Sequence, residues 1–410
     1  MSPGPHFCID VGTTKIVALS GRVEPRRRIA EVSALGEVQS GGLRRGIVVD
    51  RRAASDSIAT AIENSGVQPR SATVGIAGGH IKSRNVEVTL LNRSRDRTIT
   101  QRFLDRLQSE IENDPRDPDE QVIHVIPRSY TLDGEEGIKQ PLGLAARRVT
   151  LQAHVICGSV QGIQNLLRAV EDCGVRIEEV VLEPLASSES CLTDQEREMG
   201  VALLDVGGGT TDLATFWRGA LMHTAVIPLG GQSFSSDAAF GFKIPVDDAE
   251  MLKLRYGTVL SDTVDSVAAV KLGERHYNAH FLSQILEYRA QEILEMSRDS
   301  LDEARVRNLL TGGAVLTGGG SLLDGMTELT EDMLGLRARI AAPRRVRGNI
   351  KPVQEPQYST AIGLLYFAAK SSNLKAQNKG ASATTFGSIM AAVKSWFGGG
   401  QPGKGPEKRQ

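Results

Sequence analysis

One short pattern occurs twice in this chain, and it constrains the fold more than any other feature. The first copy follows an apolar run near the start and carries Asp10, Gly12, Thr13, Thr14 and Lys15. The second copy lies near the middle and carries Asp205, Gly207, Gly208, Gly209, Thr210 and Thr211. A second apolar run follows the threonines in both copies. The pattern therefore predicts two β-hairpins of the same design, one in each half of the chain.

The residue types of these hairpins suit a bound phosphate and a cation. Glycine lets backbone N–H groups approach phosphate oxygens, and threonine hydroxyls add donors. A carboxylate beside a phosphate needs a cation between them, so we expect Asp10 and Asp205 to contact Mg²⁺ through water. We expect Lys15 to reach the phosphates as a point charge. One such hairpin alone could be an ordinary glycine-rich turn, but the pair predicts a site that grips a triphosphate from both sides.

A third glycine cluster supports this interpretation. It consists of Gly318, Gly319, Gly320 and Ser321, between a predicted strand and a helix predicted over residues 322–333. Such a turn lets a ligand approach the backbone at a helix N-terminus. The spacing fits neither a P-loop nor the GxGxxG pattern, which disfavours a Walker NTPase and a Rossmann dinucleotide site.

The pattern of apolar residues in the rest of the chain predicts layers of strands and helices. Apolar β-branched runs alternate with helical periods over most of its length, which predicts an α/β fold. Residues 84–160 differ, since three strand-like runs and one amphipathic helix near 100–112 predict a small α+β insertion. The formal net charge is −1 over 410 residues, so no overall basic footprint for nucleic acid is present. No run of 18 apolar residues occurs, and no transmembrane helix is expected.

The C-terminal end has its own organisation. Residues 371–385 are polar without periodicity and predict a flexible linker, and residues 398–410 predict disorder. Between them an apolar stripe recurs at helical spacing, formed by Phe386, Ile389, Met390, Val393, Trp396 and Phe397. From Lys370 to the end, the sequence contains seven basic residues and one acidic residue, which gives a net charge of +6.

This stripe predicts a membrane-targeting amphipathic helix over residues 386–397, with Lys394 beside the apolar face. At about 1.5 Å per residue the helix is roughly 17 Å long, too short for a bilayer core of about 30 Å. It can lie in the interface of an anionic membrane. The alternative is a C-terminal helix docked on the chain's own core, and the long polar linker argues against that.

The two hairpins and the late glycine turn resemble the actin, sugar-kinase and Hsp70 superfamily. Longer segments resemble the FtsA family of bacterial cell-division proteins, namely 124–130, 136–139, 141–144, 183–188, 221–228 and 248–257. The resemblance covers about residues 6–370 and resumes at the tail. It implies an actin-like (ribonuclease H-like) two-domain ATPase fold with an α+β inserted subdomain and a C-terminal amphipathic helix.

The same resemblance implies how the chain is divided. The implied units are a first core subdomain (6–83, completed by about 161–198 and 354–370), the inserted interaction subdomain (84–160), a second core subdomain (199–231 and 306–353) and an upper subdomain over the nucleotide (232–305). Glu250 and Lys253 are implied to hydrogen-bond the ribose. Glu183 is implied to orient the attacking water, or alternatively only to shape the hinge.

The function implied by the resemblance is that of an ATP- and Mg²⁺-binding adaptor with at most weak ATPase activity. Such a protein polymerises and tethers the FtsZ ring to the cytoplasmic face of the inner membrane at the division site. The implied partners are the FtsZ C-terminal tail at 232–305, further copies of the chain, later division proteins at 84–160 and the anionic membrane surface.

Three alternatives share the fold. An actin-fold small-molecule kinase would need a catalytic base facing a substrate pocket, and none is evident. A chaperone ATPase would need a substrate-binding domain, for which about 40 residues after Lys370 are too few. A pilus-assembly ATPase relative should lack the helix at 386–397.

Overall fold

The computed structural model describes residues 4–24, 27–112, 117–348 and 351–377. The strands are β1 His6–Val11, β2 Lys15–Glu24, β3 Ile29–Gln39, β4 Leu43–Arg44, β5 Ile47–Val48, β6 Ser71–Ile76, β7 Ile81–Leu91, β8 Glu120–Leu132, β9 Glu135–Ile138, β10 Arg148–Ser159, β11 Arg176–Leu182, β12 Val201–Val206, β13 Thr211–Trp217, β14 Ala220–Ile227, β15 Ala269–Leu272, β16 Arg275–Asn278, β17 Ala314–Thr317, β18 Ala338–Ile340 and β19 Val346–Arg347. The helices are α1 Arg51–Ser65, α2 Gln101–Glu112, α3 Val160–Glu171, α4 Glu183–Cys191, α5 Asp194–Met199, α6 Gly231–Phe242, α7 Val246–Tyr256, α8 Ala279–Glu303, α9 Met326–Leu334 and α10 Ser359–Gln377.

Two sheets of matching design form the centres of the two halves. In the first sheet, β1, β2 and β3 form an antiparallel meander, and β6 and β11 continue it in parallel beyond β1. In the second sheet, β12, β13 and β14 form the same meander, and β17 and β18 continue it in parallel beyond β12. The α/β architecture predicted from the sequence is confirmed, and the repeated hairpin belongs to a larger repeat of the sheet itself.

Helices α4 and α10 join the two halves. α10 packs on β1 and β2 of the first sheet, α4 packs on β12 and β13 of the second, and the two helices contact each other. Their approach is close, because a Cβ atom at Gly363 would lie 1.9 Å from the carbonyl oxygen of Ala186. Glycine is therefore required at this crossing. The pair forms the hinge region at the base of the cleft between the halves.

The inserted subdomain leaves the first sheet after β6 and returns through α3. Its strands are ordered β7-β10-β8-β9, and α2 packs on them over a separate apolar core that includes Leu107, Ile111 and Val125. This is the α+β insertion that the sequence predicts. It also contacts the second half, since the Ser83 hydroxyl donates to the carbonyl oxygen of Thr224 at 2.7 Å.

The α6–α8 helices and the β15–β16 hairpin form the unit above the second sheet. Arg289 of α8 donates to Asp237 of α6 at 2.6 Å, and the ring of Phe242 makes edge contacts with Tyr277 and Phe281. The interior of this unit is continuous with that of the second sheet. It is therefore a rigid extension of the second half.

Two boundaries predicted from the sequence are wrong. The helix predicted from residue 322 begins at Met326, because Gly319–Leu322 forms a 3₁₀ turn and Gly325 adopts a left-handed conformation with φ 84°. The linker predicted from residue 371 begins later, because α10 continues to Gln377. The added residues include leucine, lysine, alanine and glutamine, which favour helix.

The remaining C-terminal predictions concern residues that the structure does not describe. The linker residues 378–385, the predicted membrane helix 386–397 and the predicted disordered tail 398–410 all lie outside the described residues. Among the described helices, none has both the length and the apolar character needed to cross a bilayer.

Candidate functional site

The two predicted hairpins meet tip to tip between the halves of the molecule. They have the same register, with Asp10 opposite Val17 in one and Asp205 opposite Asp212 in the other. A Cβ atom at Gly208 would lie 2.3 Å from the side chain of Thr14, and one at Gly209 would lie 2.4 Å from the Thr13 hydroxyl. Only glycine allows this approach. The structure thus brings together the two turns that the sequence singles out.

The third glycine cluster lies against the second hairpin. Gly318 has φ 81°, and a Cβ atom there would lie 2.4 Å from Asp205 Oδ1. A Cβ atom at Gly320 would lie 2.4 Å from Val206 Cγ1. Ser321 closes the turn by donating its hydroxyl to the carbonyl oxygen of Gly318 at 2.7 Å. Gly319 faces a more open space, where the nearest heavy atom to an added Cβ would be 4.0 Å away, on Gln357.

Four carboxylates gather behind the hairpin tips, the buried Asp10, Asp205 and Asp212 and the half-buried Glu183. Asp10 and Asp205 lie near the ends of β1 and β12, Asp212 lies near the start of β13, and Glu183 opens α4. Burial raises the pKa of Asp10 to about 7, with Lys15 opposing the rise and Asp205 and Glu37 adding to it. Burial and the charge of Asp205 raise the pKa of Asp212 to about 8. Burial and the three aspartates raise the pKa of Glu183 well above its ordinary value. The cluster therefore concentrates negative charge in a place where water cannot stabilise it.

Hydrogen bonds fix Asp205 in this cluster. Its Oδ2 atom accepts from the Ser187 hydroxyl of α4 and from the Thr360 hydroxyl of α10 at 3.1 Å. Burial raises the pKa of Asp205, and these two hydrogen bonds oppose the rise. Asp205 thereby links the second hairpin to both hinge helices.

The donor set fits a divalent cation held through water. Oδ2 of Asp212 accepts from the Thr210 hydroxyl at 3.1 Å, while its buried Oδ1 has no hydrogen-bond partner among the described residues. Within those residues, no group of three or more His, Cys, Asp or Glu side chains is arranged to hold a metal ion by itself. Mg²⁺ retains much of its hydration shell in proteins, so contacts through water suit it.

The other predicted site residues surround the hairpins with partners of their own. Lys15 Nζ lies 3.8 Å from the centre of the Tyr358 ring and 3.4 Å from Glu37 Oε2. Lys253 Nζ donates to Glu250 Oε2 at 2.6 Å and to the carbonyl oxygen of Gly231 at 3.0 Å. The Gly231 N–H donates in turn to the carbonyl oxygen of Gly207 at 2.8 Å, so α7 is connected to the second hairpin.

Three residues near Glu183 and the hairpins are absent from the sequence-based site. Asp212 is one of them, although its position directly after the threonines was a usable signal. Gly75 is another, since a Cβ atom there would lie 3.2 Å from Glu183 Oε1. His124 is the third: its Nε2 accepts from the N–H of Leu182 at 3.1 Å, and burial lowers its pKa to about 3. Nothing local to Gly75 or His124 in the sequence indicates either contact.

The substitution Asp212→Asn is expected to stabilise the nucleotide-free chain by about 2 kcal/mol at pH 7. A carboxyl whose pKa is higher in the folded than in the unfolded state lowers stability as pH rises through that interval, here from about 4 to about 8. Asparagine removes this cost and can still accept from Thr210. Chemical denaturation in EDTA measures the effect, with the exposed Asp332→Asn as the matched control. A loss of stability in Asp212→Asn alone would contradict the proposed charge repulsion.

Comparison with known proteins shows what this chain resembles. A sequence model described as "Cell division protein FtsA" matches residues 202–363, and one described as "SHS2 domain inserted in FTSA" matches residues 78–157. The cell division protein FtsA of Pseudomonas aeruginosa is 33% identical over 95% of this chain and 97% of that protein.

Solved structures agree on the fold. A chain of the PilM-PilN type IV pilus biogenesis complex superposes with a TM-score of 0.67 at 17% identity, covering 89% of this chain and 98% of that one. MreB 5 of Spiroplasma citri bound to AMPPNP superposes with a TM-score of 0.56 at 14% identity, covering 92% of this chain and all of that one. These likenesses confirm the predicted actin-like fold, and the second sequence model confirms its inserted subdomain.

Proposed function

This chain belongs to the FtsA family of cell-division proteins, and on that premise we propose that it is a nucleotide-dependent adaptor of the division ring. In this proposal it binds ATP with Mg²⁺ between its two hairpins and polymerises with other copies. It tethers the FtsZ ring to the cytoplasmic face of the cell membrane at the division site and recruits later division proteins.

The observation that carries the nucleotide proposal is the meeting of the two hairpins over three buried aspartates and the half-buried Glu183. The donors for phosphate oxygens in this proposal are the backbone N–H groups of Gly12, Gly208 and Gly209 and the hydroxyls of Thr13 and Thr14. The Thr210 and Thr211 hydroxyls instead hold the second hairpin together, since they donate to Asp212 and to the carbonyl oxygen of Leu229. Asp10, Asp205 and Asp212 would hold Mg²⁺, which when bound neutralises the negative charge of the phosphates. Because the hairpin tips touch in the structure, entry of the phosphates requires them to part.

Residues around the hairpins supply the remaining contacts in this proposal. Glu250 and Lys253 hydrogen-bond the ribose, and the turn at residues 318–321 lies beside the nucleotide. Support comes from the bond of Lys253 to the carbonyl oxygen of Gly231, because Gly231 is itself bonded to the second hairpin. Lys15 neutralises phosphate charge, for which it exchanges its contact with Glu37.

We assign Glu183 to the positioning of an attacking water in slow ATP hydrolysis. Its carboxyl lies at the start of the hinge helix α4, next to Gly75 and within the field of the three aspartates. In-line phosphoryl transfer needs a residue that orients the nucleophile. The raised pKa makes the Glu183 carboxylate a stronger base toward a water bound beside it.

Glu183→Ala is expected to lower phosphate release by roughly 100-fold at saturating nucleotide, with nucleotide affinity changed far less. The physical reason is that alanine removes the water contact and leaves the hairpins in place. Single-turnover phosphate release measures the effect, and Glu178→Ala on the preceding strand serves as the control. Equal rates in Glu183→Ala and the unmodified chain would leave Glu183 with a role in the hinge alone.

The upper unit at residues 232–305 is the proposed dock for the FtsZ C-terminal tail. Nine large apolar side chains are exposed there, among them Phe240 at 87%, Leu254 at 72% and Tyr288 at 72%. Phe240 lies on α6 and Tyr288 lies on α8, and at the seam between these two helices Gly241 faces Phe281 and Ile285. The Arg289–Asp237 ion pair keeps this seam rigid. Exposed apolar side chains on a rigid seam are typical anchors for a short peptide.

Electron microscopy on lipid monolayers tests the whole proposal. The full chain with ATP and Mg²⁺ is expected to form filaments on anionic lipid, and a chain lacking residues 386–410 is expected to leave the monolayer bare. Omission of ATP should reduce assembly. Filaments that form equally well without nucleotide would refute nucleotide-dependent assembly. Equal recruitment of the shortened chain to the lipid layer would refute membrane anchoring by residues 386–410.

A further inference from the structure

A cavity separate from the hairpin turns lies between the inserted subdomain and both halves. It has a volume of about 630 Å³. One wall comes from α2, β8 and the segment after β9, and the facing wall comes from α4, α5, the β13–β14 turn and α10. None of the predicted nucleotide-binding residues lines it. The proposed function leaves this space without a role.

The charge of this cavity is strongly positive for a chain with a net charge of −1. Its basic lining residues are Arg28, Arg128, Lys139, Arg197, Arg218 and Lys370, and its acidic ones are Glu189, Asp194 and Glu198. A smaller cavity of about 100 Å³ shares four of these residues and adds Arg344 and Arg345. Basic residues from seven separate segments of the chain therefore line these two adjoining cavities.

Two of the three acidic residues are already engaged. Glu189 forms ion pairs with both Arg28 and Arg197, the latter at 3.1 Å. Glu198 pairs with Lys139 at 3.5 Å. The acids of the lining thus cannot neutralise all of its cations.

Arg128 and Arg218 are the cations with the most unusual surroundings. The buried Nε atom of Arg128 has no hydrogen-bond partner among the described residues, and its terminal nitrogen lies 3.3 Å from the weakly accepting sulfur of Met222. The guanidinium of Arg218 lies 4.2 Å from the centre of the Trp217 ring. These features indicate a shortage of negative charge in the cavity.

We propose that this cavity binds a phosphate-bearing organic anion, at a site separate from the hairpins. Arginine presents a planar fork of donors that matches oxyanions. A phosphate group accepts from several directions at once, which suits arginines that come from separate walls. The volume greatly exceeds that of a phosphate, and Leu104, Tyr130 and Leu142 offer apolar surface to an organic part. The phosphate belongs either to a soluble phosphomonoester or to the diester headgroup of a phospholipid.

Fluorescence of Trp217 reports directly on this site. The chain has two tryptophans, so Trp396→Phe leaves Trp217 as the only one. The variant is titrated with glycerol 3-phosphate as the monoester probe, with glycerophosphoglycerol as the diester probe, and with glycerol as the neutral control. A saturable change with a phosphate probe and none with glycerol is expected. Stronger binding of the monoester identifies a soluble ligand, and stronger binding of the diester identifies a lipid headgroup.

Matched variants locate the binding. Arg128→Gln is expected to lower the affinity for the preferred probe by about tenfold or more. Arg218→Gln should lower it by a similar factor, as measured by calorimetry. Arg102→Gln, which removes an exposed charge from α2, should leave the affinity unchanged. Thermal unfolding confirms that each variant is folded. Absence of saturable binding by both probes at millimolar concentration, or equal affinities in all three variants, would overturn the proposal.

Discussion

Asp205→Asn is expected to weaken binding of ATP with Mg²⁺ by roughly 100-fold while the chain stays folded. Asp205 is buried beside the second hairpin, and its Oδ2 atom accepts from Ser187 and from Thr360. Asparagine keeps the shape and an accepting oxygen, and the two hydroxyls can rotate to accept from its amide. What the substitution removes is the negative charge that the cation needs.

Calorimetric titration with ATP separates this charge effect from damage to the fold. The unmodified chain should bind tightly with Mg²⁺ and weakly in EDTA, whereas Asp205→Asn should bind weakly in both. Asp332→Asn, an exposed change of the same charge on α9, should behave as the unmodified chain. An affinity of Asp205→Asn that still rises strongly with Mg²⁺ would contradict the assigned role.

The second large effect is expected at the C-terminal end, outside the described residues. Trp396→Glu should weaken binding to anionic liposomes by about 100-fold, because it removes an apolar side chain worth roughly 3 kcal/mol and places a charge on the buried face. The sequence places Trp396 on the apolar stripe with Phe386, Ile389 and Phe397. Co-sedimentation with liposomes that contain phosphatidylglycerol measures the loss.

The neighbouring residue provides the control for that experiment. Ser395 lies off the stripe, so Ser395→Glu adds the same charge on the polar face. Its expected cost is only about 1 kcal/mol, from repulsion by the anionic surface. Equal losses in both variants would mean that charge alone binds the tail. Undiminished binding of Trp396→Glu would remove the tail as the membrane anchor.

The meeting of the two hairpins could be predicted because two matched glycine- and threonine-rich turns at strand ends are better explained by one shared ligand than by two unrelated turns. Asp212 escaped notice because its counterpart in the first hairpin is the apolar Val17, so comparison of the two copies hid it. Gly75 and His124 lie far along the chain from Glu183, and only the packing of β6 and β8 brings them near it. Contacts of this kind depend on tertiary structure and leave no local pattern.

Some element boundaries could likewise be predicted from the local sequence, and others could not. The strands of both hairpins could be anticipated from their continuous apolar runs. The late start of α9 depends on the left-handed Gly325, and α10 continues to Gln377 through residue types that favour helix. The basic cavity could not be anticipated at all, because its arginines come from separate segments whose spacing in the sequence is irregular.

The account depends most on the binding of a magnesium nucleotide between the two hairpins. A crystal structure of the full chain with Mg²⁺ and AMPPNP tests this directly. The predicted result is a parted pair of hairpin tips, with phosphate oxygens bonded to the backbone of residues 12–14 and 207–210 and Asp10 and Asp205 facing the cation. Phosphates bound anywhere else, or hairpin tips still in contact at millimolar nucleotide, would contradict it.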